Sequence, residues 1–196
     1  MSSLLLVALL AAPISYKAPQ PPISQDTQVQ PNDDLSDVEV GQQVDGFLGS
    51  IDTPIRPNQW KALGPRAVPI LDAIVKNPEE LPTRRAKAID GLTALGDKSS
   101  PALFARIANT ESEKINVRFA AVRGLAQVTP RPQAAQALRP LLEKSKDPRV
   151  RAVAAEQLAI RSQGKSCDLV RAQLQRERSE TRSQYGRAMK QCGVAQ

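Results

Sequence analysis

The sequence has 196 residues, with 27 Lys or Arg, 20 Asp or Glu and a formal net charge of +7 at pH 7. This length favours one folded domain with flanking segments. The chain contains no histidine, so imidazole general-base catalysis and nucleophiles activated by histidine are excluded.

The N-terminal segment begins with an uninterrupted apolar run from Leu4 to Ala12. The run is too short for a membrane span, which needs about 20 residues, and it has the length of a signal-peptide core. We therefore predict a signal peptide over residues 1–18. Because no Lys or Arg precedes the run, a frayed apolar N-terminus is the alternative. Residues 19–36 are rich in Pro, Gln, Ser and Asp, which predicts a disordered linker.

Residues 37–59 contain apolar side chains at helical spacing, from Val40 to Ile51, and Asp37 is the expected N-cap. Such a helix is suited to cover the apolar end of a helical array that follows it in the chain. We expect Trp60 to pack against the first unit of that array rather than to bind a ligand.

Residues 60–161 repeat with a period of 33 residues. The repeated motif is an Arg, an Ala three residues later and a Leu four residues after that. Its three copies are Arg85, Ala88 and Leu92, then Arg118, Ala121 and Leu125, then Arg151, Ala154 and Leu158. These positions lie on one side of a helix, and an apolar stripe of helical spacing precedes each copy. Each unit is therefore a pair of antiparallel helices, with predicted bounds 60–97, 98–129 and 130–161.

The third copy resembles a known family. The segment from Asp147 to Ala155, with Leu158 behind it, is similar to the start of the second helix of a HEAT repeat. The resemblance implies an all-α fold, a right-handed α-solenoid of antiparallel helix pairs. It covers about half of the chain, and fold-level analogy by itself assigns no activity.

The resemblance also implies a structural ladder, because in that family an acidic residue near the turn commonly pairs with the Arg of the second helix. Here Glu79 precedes Arg85, either Glu111 or Glu113 precedes Arg118, and Asp147 precedes Arg151. We interpret the three Arg residues as this ladder rather than as a row that binds a ligand, since a partly buried Arg is normally paired.

The 33-residue repeat does not continue into residues 162–196. We predict that this segment forms a helical hairpin that caps the C-terminal end of the array. Cys167 and Cys192, which are the two cysteines of the chain, lie at similar distances on either side of the expected turn near Ser179. A disulfide at the open end of this hairpin is the favoured pairing, and it requires an oxidising compartment. A four-ligand zinc site is excluded, because it cannot be assembled from two cysteines without histidine. The remaining alternative is that the two cysteines are inert thiols in the core.

Charge is divided unevenly along the chain. Residues 1–60 carry two basic and seven acidic residues, whereas residues 61–196 carry 25 basic and 13 acidic residues. A basic solenoid suggests an acidic partner. We expect an exposed strip on the second helices, formed by Arg84, Lys87, Arg123 and Arg149.

The resulting hypothesis is an exported, periplasmic or extracellular, HEAT-like scaffold without catalytic activity, cofactor or metal, which binds a protein with an acidic surface. The alternative is a cytoplasmic relative that binds nucleic acid, although aromatic residues for base stacking are nearly absent. A third hypothesis, a bilin lyase-like enzyme, follows only from other members of the same repeat class.

Overall fold

The structure is a computed structural model that describes residues 31–32, 34–51 and 53–193. These residues form helices and connecting turns and no strand, which confirms the predicted all-α class. The helices of the described residues are α1 (Asp37–Gly49), α2 (Pro57–Leu63), α3 (Ala67–Lys76), α4 (Pro82–Leu95), α5 (Ser100–Asn109), α6 (Ile115–Val128), α7 (Arg131–Lys144), α8 (Pro148–Arg161), α9 (Cys167–Arg176), α10 (Ser179–Arg182) and α11 (Gly186–Gln191). A 3-10 turn, Ser183–Tyr185, separates α10 from α11.

Residues with strong terminal preferences set the helix ends. At α1 the Ser36 hydroxyl accepts a hydrogen bond from the Glu39 N–H at 3.3 Å, and the Glu39 carboxylate accepts one from the Ser36 N–H at 2.7 Å. This reciprocal capping box makes Ser36 the N-cap, so the prediction of Asp37 as the cap was wrong by one residue. Gly96 ends α4 in the left-handed conformation at φ 66°, which a residue with a side chain adopts at a cost.

Three successive helix pairs, α3–α4, α5–α6 and α7–α8, form the body of the molecule. The second helices pack closely on one another, α4 on α6 and α6 on α8, whereas the first helices of neighbouring pairs touch much less. Because the second helices lie nearer together, the array curves towards them and they line its inner face. At one end α1 packs on α3 and α4, and at the other end α11 packs on α8.

The core is a seam of small and branched side chains that runs through all three pairs. The Ala residues of the repeated motif are fully buried, and its Leu residues are at most 2% exposed. Gly124 permits the close approach of neighbouring units, because a Cβ atom there would lie 2.7 Å from Thr93 Oγ1 and 2.8 Å from a ring carbon of Phe104. The repeated small residues therefore set the spacing between units as well as filling the core.

The two ends of the array differ in detail from the sequence prediction. The lead-in after α1 forms a short separate helix, α2, bounded by Pro57 and by Gly64 at φ 68°. Trp60 of α2 is 2% exposed and makes an edge-to-face contact with Phe47 of α1. The second arm of the C-terminal hairpin is not one helix, because the 3-10 turn interrupts it and places Tyr185 fully inside the core.

A disulfide joins Cys167, the first residue of α9, to Cys192, which follows α11, with a Cα–Cα distance of 5.6 Å. The bond lies at the open end of the hairpin and is compatible with the pairing favoured from the sequence. It joins the two arms of the hairpin to each other at that end.

Across the described ranges, no helix has both the length and the apolar character that a membrane crossing requires. The predicted signal peptide of residues 1–18 and the linker up to residue 30 lie outside the described residues.

Candidate functional site

The three arginines of the repeated motif occupy equivalent places, each at the fourth position of a 14-residue second helix. Each guanidinium donates to a carbonyl at the end of the preceding first helix. These bonds join Arg85 Nε to Val75 O at 3.0 Å, Arg118 Nε to Ala108 O at 3.1 Å and Arg151 Nη1 to Ser145 O at 2.7 Å. Carbonyls at a helix C-terminus lack partners within the helix and carry partial negative charge. The arginines therefore hold together the two helices of each pair.

The carboxylate partners of these arginines differ from the sequence prediction. Arg85 forms a bidentate pair with Glu113, at 3.0 and 2.7 Å, and Arg151 forms one with Glu177, at 2.6 and 2.5 Å. Both glutamates lie 26 to 28 residues downstream, in the turn of the following unit. Stacking places that turn against the guanidinium, so these contacts join neighbouring units as well as helices within a unit.

The structure therefore corrects two predicted pairs. Glu79 is exposed and, within the described residues, forms no ion pair with Arg85. Asp147 is the N-cap of α8 and pairs with Arg149 at 2.7 Å instead of Arg151. Arg118 alone pairs with a carboxylate of its own turn, Glu111 at 2.8 Å, and it also donates to Ser145 Oγ of the next unit at 3.1 Å.

Glu177 is the centre of a buried polar cluster that the sequence analysis missed. Besides Arg151, it accepts hydrogen bonds from Gln173 Nε2 at 3.0 Å and from the Tyr185 hydroxyl at 2.8 Å. The bonds from Arg151, together with those from Gln173 and Tyr185, outweigh desolvation and lower the pKa of Glu177 to about 2. Burial and the bond to Glu177 raise the pKa of Tyr185 above its ordinary value. The cluster has fixed protonation states at neutral pH and holds the C-terminal hairpin on α8.

The predicted basic strip is largely engaged inside the molecule. Arg84 pairs with Asp45 at 2.6 Å and with Glu80 at 3.1 Å, so it ties α1 to α4. Lys87 donates to the Leu48 and Ser50 carbonyls at the C-terminal end of α1. Arg149 pairs with Asp147, as described above. Arg123 is the member of the strip whose side chain forms neither an ion pair nor a hydrogen bond with other described residues.

Arg123 lies in a groove on the inner face, between α2, α4 and α6. The groove has a volume of about 410 Å³ and is lined by Ile55, Trp60, Asp90, Arg123 and Gln127, among others. A second hollow of about 350 Å³ shares Ile55, Trp60 and Asp90 with it and extends to Lys87 and Ile51. The side chain of Ile51 is 92% exposed, so the rim of this surface presents an apolar residue to solvent.

Asp90 and Arg123 occupy equivalent positions of α4 and α6, since they are separated by the 33-residue period. Neither side chain forms a hydrogen bond or an ion pair with other described residues. Although Asp90 retains solvent-exposed surface, crowding by the groove walls desolvates its carboxyl and raises the pKa, and the charge of Arg123 opposes part of that rise. The groove thus offers one acceptor and one donor group to a ligand. The period that identifies Arg123 is also the sequence signal that would have revealed Asp90.

For the described part of the chain, no cluster of three or more Cys, Asp or Glu side chains is placed so that it could hold a metal ion.

Comparison with known proteins gives one family. A family model described as HEAT repeats matches residues 67–159 and residues 101–190. Taken together, the two matches extend from the start of α3 into α11, which is more than half of the chain. No curated protein and no solved structure matches the chain.

Proposed function

Because the chain belongs to the HEAT repeat family, whose helical repeats commonly serve as scaffolds for protein interaction, we propose that it is a non-catalytic scaffold that docks a segment of a partner protein along its inner face. The observation that carries this proposal is the groove between α2, α4 and α6, which contains Asp90 and Arg123 without partners among the described residues. A segment that supplies a donor to Asp90 and an acceptor to Arg123 would satisfy both groups.

The partner is proposed to present an acidic side chain to Arg123. Residues 61–196 carry 25 basic and 13 acidic residues, so the folded part attracts acidic surfaces in general. The planar guanidinium of an Arg offers a bidentate site for a carboxylate. On the inner face the nucleic-acid alternative receives less support, because Arg84, Lys87 and Arg149 are engaged by groups of this chain. Few cations of this face therefore remain for a phosphate backbone.

Site-specific photocrosslinking in the native cell tests this proposal. A photoreactive residue in place of Gln127, which is exposed at the groove, is expected to capture a defined partner protein. The same residue in place of Arg106, which is exposed on the first helix α5, is the matched control and should not capture that protein. Combining the Gln127 probe with Arg123→Glu should abolish the crosslink, because the substitution reverses the charge that receives the acidic group.

Equal capture from both positions, or a crosslink that survives Arg123→Glu, would show that the groove does not select the partner. Either result contradicts the proposed docking site and leaves the repeat fold itself unaffected.

Export is the second part of the proposal. It is supported by the apolar run from Leu4 to Ala12 and by the disulfide between Cys167 and Cys192, because disulfides persist in oxidising compartments. The expected result is that protein isolated from its native cell begins near residue 19 when its N-terminal peptide is identified by mass spectrometry. A mature protein that retains Leu4 to Ala12 would contradict cleavage of a signal peptide.

A further inference from the structure

The C-terminal hairpin, defined as residues 162–193, is strongly basic, with seven basic and three acidic residues. Six of its cationic side chains are exposed and form no ion pair with described residues. They are Lys165, Arg176, Arg178, Arg182, Arg187 and Lys190. The acidic residues of the hairpin do little to balance these cations, because Glu177 forms an ion pair with Arg151 and Asp168 forms one with Arg171. Among the described residues of the hairpin, Glu180 alone is an acidic residue without an ion pair.

The opposite end of the molecule has the reverse charge. Every charged residue between Asp34 and Ile55 is acidic, and α1 contains Asp37, Glu39 and Asp45 without a basic residue. The Asp37 and Asp45 side chains are 87% and 74% exposed. Arg84 pairs with Asp45 at 2.6 Å and Arg66 pairs with Asp37 at 3.7 Å, whereas Glu39 forms no ion pair with described residues. The acidic end therefore remains incompletely neutralised.

An apolar side chain lies within the acidic end. Val38 is 70% exposed between Asp37 and Glu39, so α1 presents a hydrophobic contact surrounded by carboxylates. A solenoid end is normally covered by polar residues to keep it soluble. The acidic side chains of this end favour a basic partner, and the exposed valine offers that partner an apolar contact.

The two charged ends lie at opposite ends of the helix array, since α1 packs on α3 and α4 and the hairpin packs on α7 and α8. Contact between unlike surfaces of identical molecules is heterologous, and it produces open chains unless the rotation between copies closes a ring. We propose that the basic C-terminal hairpin of one copy docks on the acidic α1 surface of a second copy, so that molecules associate head to tail. The second copy is the favoured occupant because it supplies the complementary charge at the same concentration.

The contact is mainly electrostatic, because the described residues of the hairpin expose no large apolar side chain to meet Val38. Its strength therefore depends on the Debye length, which falls from about 30 Å at 0.01 M salt to about 3 Å at 1 M. Docking at the ends leaves the inner groove open, so head-to-tail association does not depend on the proposed docking of a partner protein there.

Analytical ultracentrifugation tests the proposal. In 10 mM salt the weight-average mass of the wild-type protein is expected to rise with concentration above that of the monomer, and in 1 M salt it should return to the monomer value. Asp34→Lys with Asp37→Lys should abolish the rise, as should Arg176→Glu with Arg187→Glu. The control pair Arg106→Glu with Arg131→Glu changes net charge by the same amount on first helices and should retain the rise. Circular dichroism establishes that each variant is folded.

Mixing the two end variants provides the decisive measurement. Each variant keeps one native end, so the intact hairpin of the first can meet the intact α1 surface of the second, and association should return in the mixture. A wild-type protein that stays monomeric at 10 mM salt, a mixture that stays monomeric, or a control pair that also loses association would each overturn the proposal. Loss of DNA-duplex binding by the hairpin variant alone, with a monomeric wild type, would assign the basic end to a polyanion instead and would equally overturn it.

Discussion

Replacing Arg118 by alanine is expected to lower the free energy of unfolding by about 3 kcal/mol, because it removes a buried guanidinium that joins two units and leaves a cavity in its place. The Arg118 side chain is 2% exposed and bonds to three groups, the Ala108 carbonyl, Glu111 and Ser145 Oγ. Its removal takes the guanidinium away from the Ala108 carbonyl and creates a cavity between two units, while Ser145 Oγ keeps its bond to Glu111 at 3.4 Å. Urea denaturation of the wild-type and variant proteins measures the difference.

Arg106→Ala is the matched control, since Arg106 is an exposed arginine of α5 and its loss should change stability by less than about 0.5 kcal/mol. Arg118→Lys should fall between the two variants, because an ammonium group cannot reproduce the planar contacts of the guanidinium. If Arg118→Ala were as mild as Arg106→Ala, the ladder would not contribute to the cohesion of the repeats.

Reduction of the Cys167–Cys192 disulfide is expected to cost about 3.5 kcal/mol in the chain-entropy model, given the sequence separation of 25 residues. The bond closes the hairpin that carries Glu177 and Tyr185, and it thereby restrains the unfolded chain. Urea denaturation with and without a non-thiol reductant should show this loss for the wild-type protein.

The double variant Cys167→Ser with Cys192→Ser supplies the control for reduction. Its stability should match that of the reduced wild-type protein, and the reductant should not change it further. A reductant effect on the double variant would assign the loss to some other action of the reagent, and an unchanged wild-type protein would show that the disulfide does not limit stability.

The helical architecture could be predicted because it depends on the spacing of residues that are close together in the sequence. A helix has 3.6 residues per turn, so the repeated Arg, Ala and Leu had to share one helix face. The equivalent places of Arg85, Arg118 and Arg151 follow from the same period. By contrast, the partners of Arg85 and Arg151 lie 28 and 26 residues downstream. The prediction considered only the acidic residue that precedes each arginine, because stacking between units is a long-range property.

The basic strip likewise shows that the sequence does not reveal which surface charges are paired within the protein. Arg84, Lys87, Arg123 and Arg149 were equally plausible as exposed cations in the sequence. Asp45 and the end of α1 engage two of them because the N-terminal helix folds back on α4. Arg123 differs from them because it remains unpaired. Asp90, its equivalent in the preceding unit, lines the same groove but forms no ion pair with it within the described residues.

By itself, the sequence determined that this protein is a stack of paired helices, since periodicity and small-residue spacing act over a few turns and need no knowledge of distant contacts. Tertiary structure alone decided which charges are used internally and which remain for a partner. The physical reason is that ion pairing depends on distances of a few ångströms between residues far apart in the chain, and only the packing of one unit on the next sets those distances.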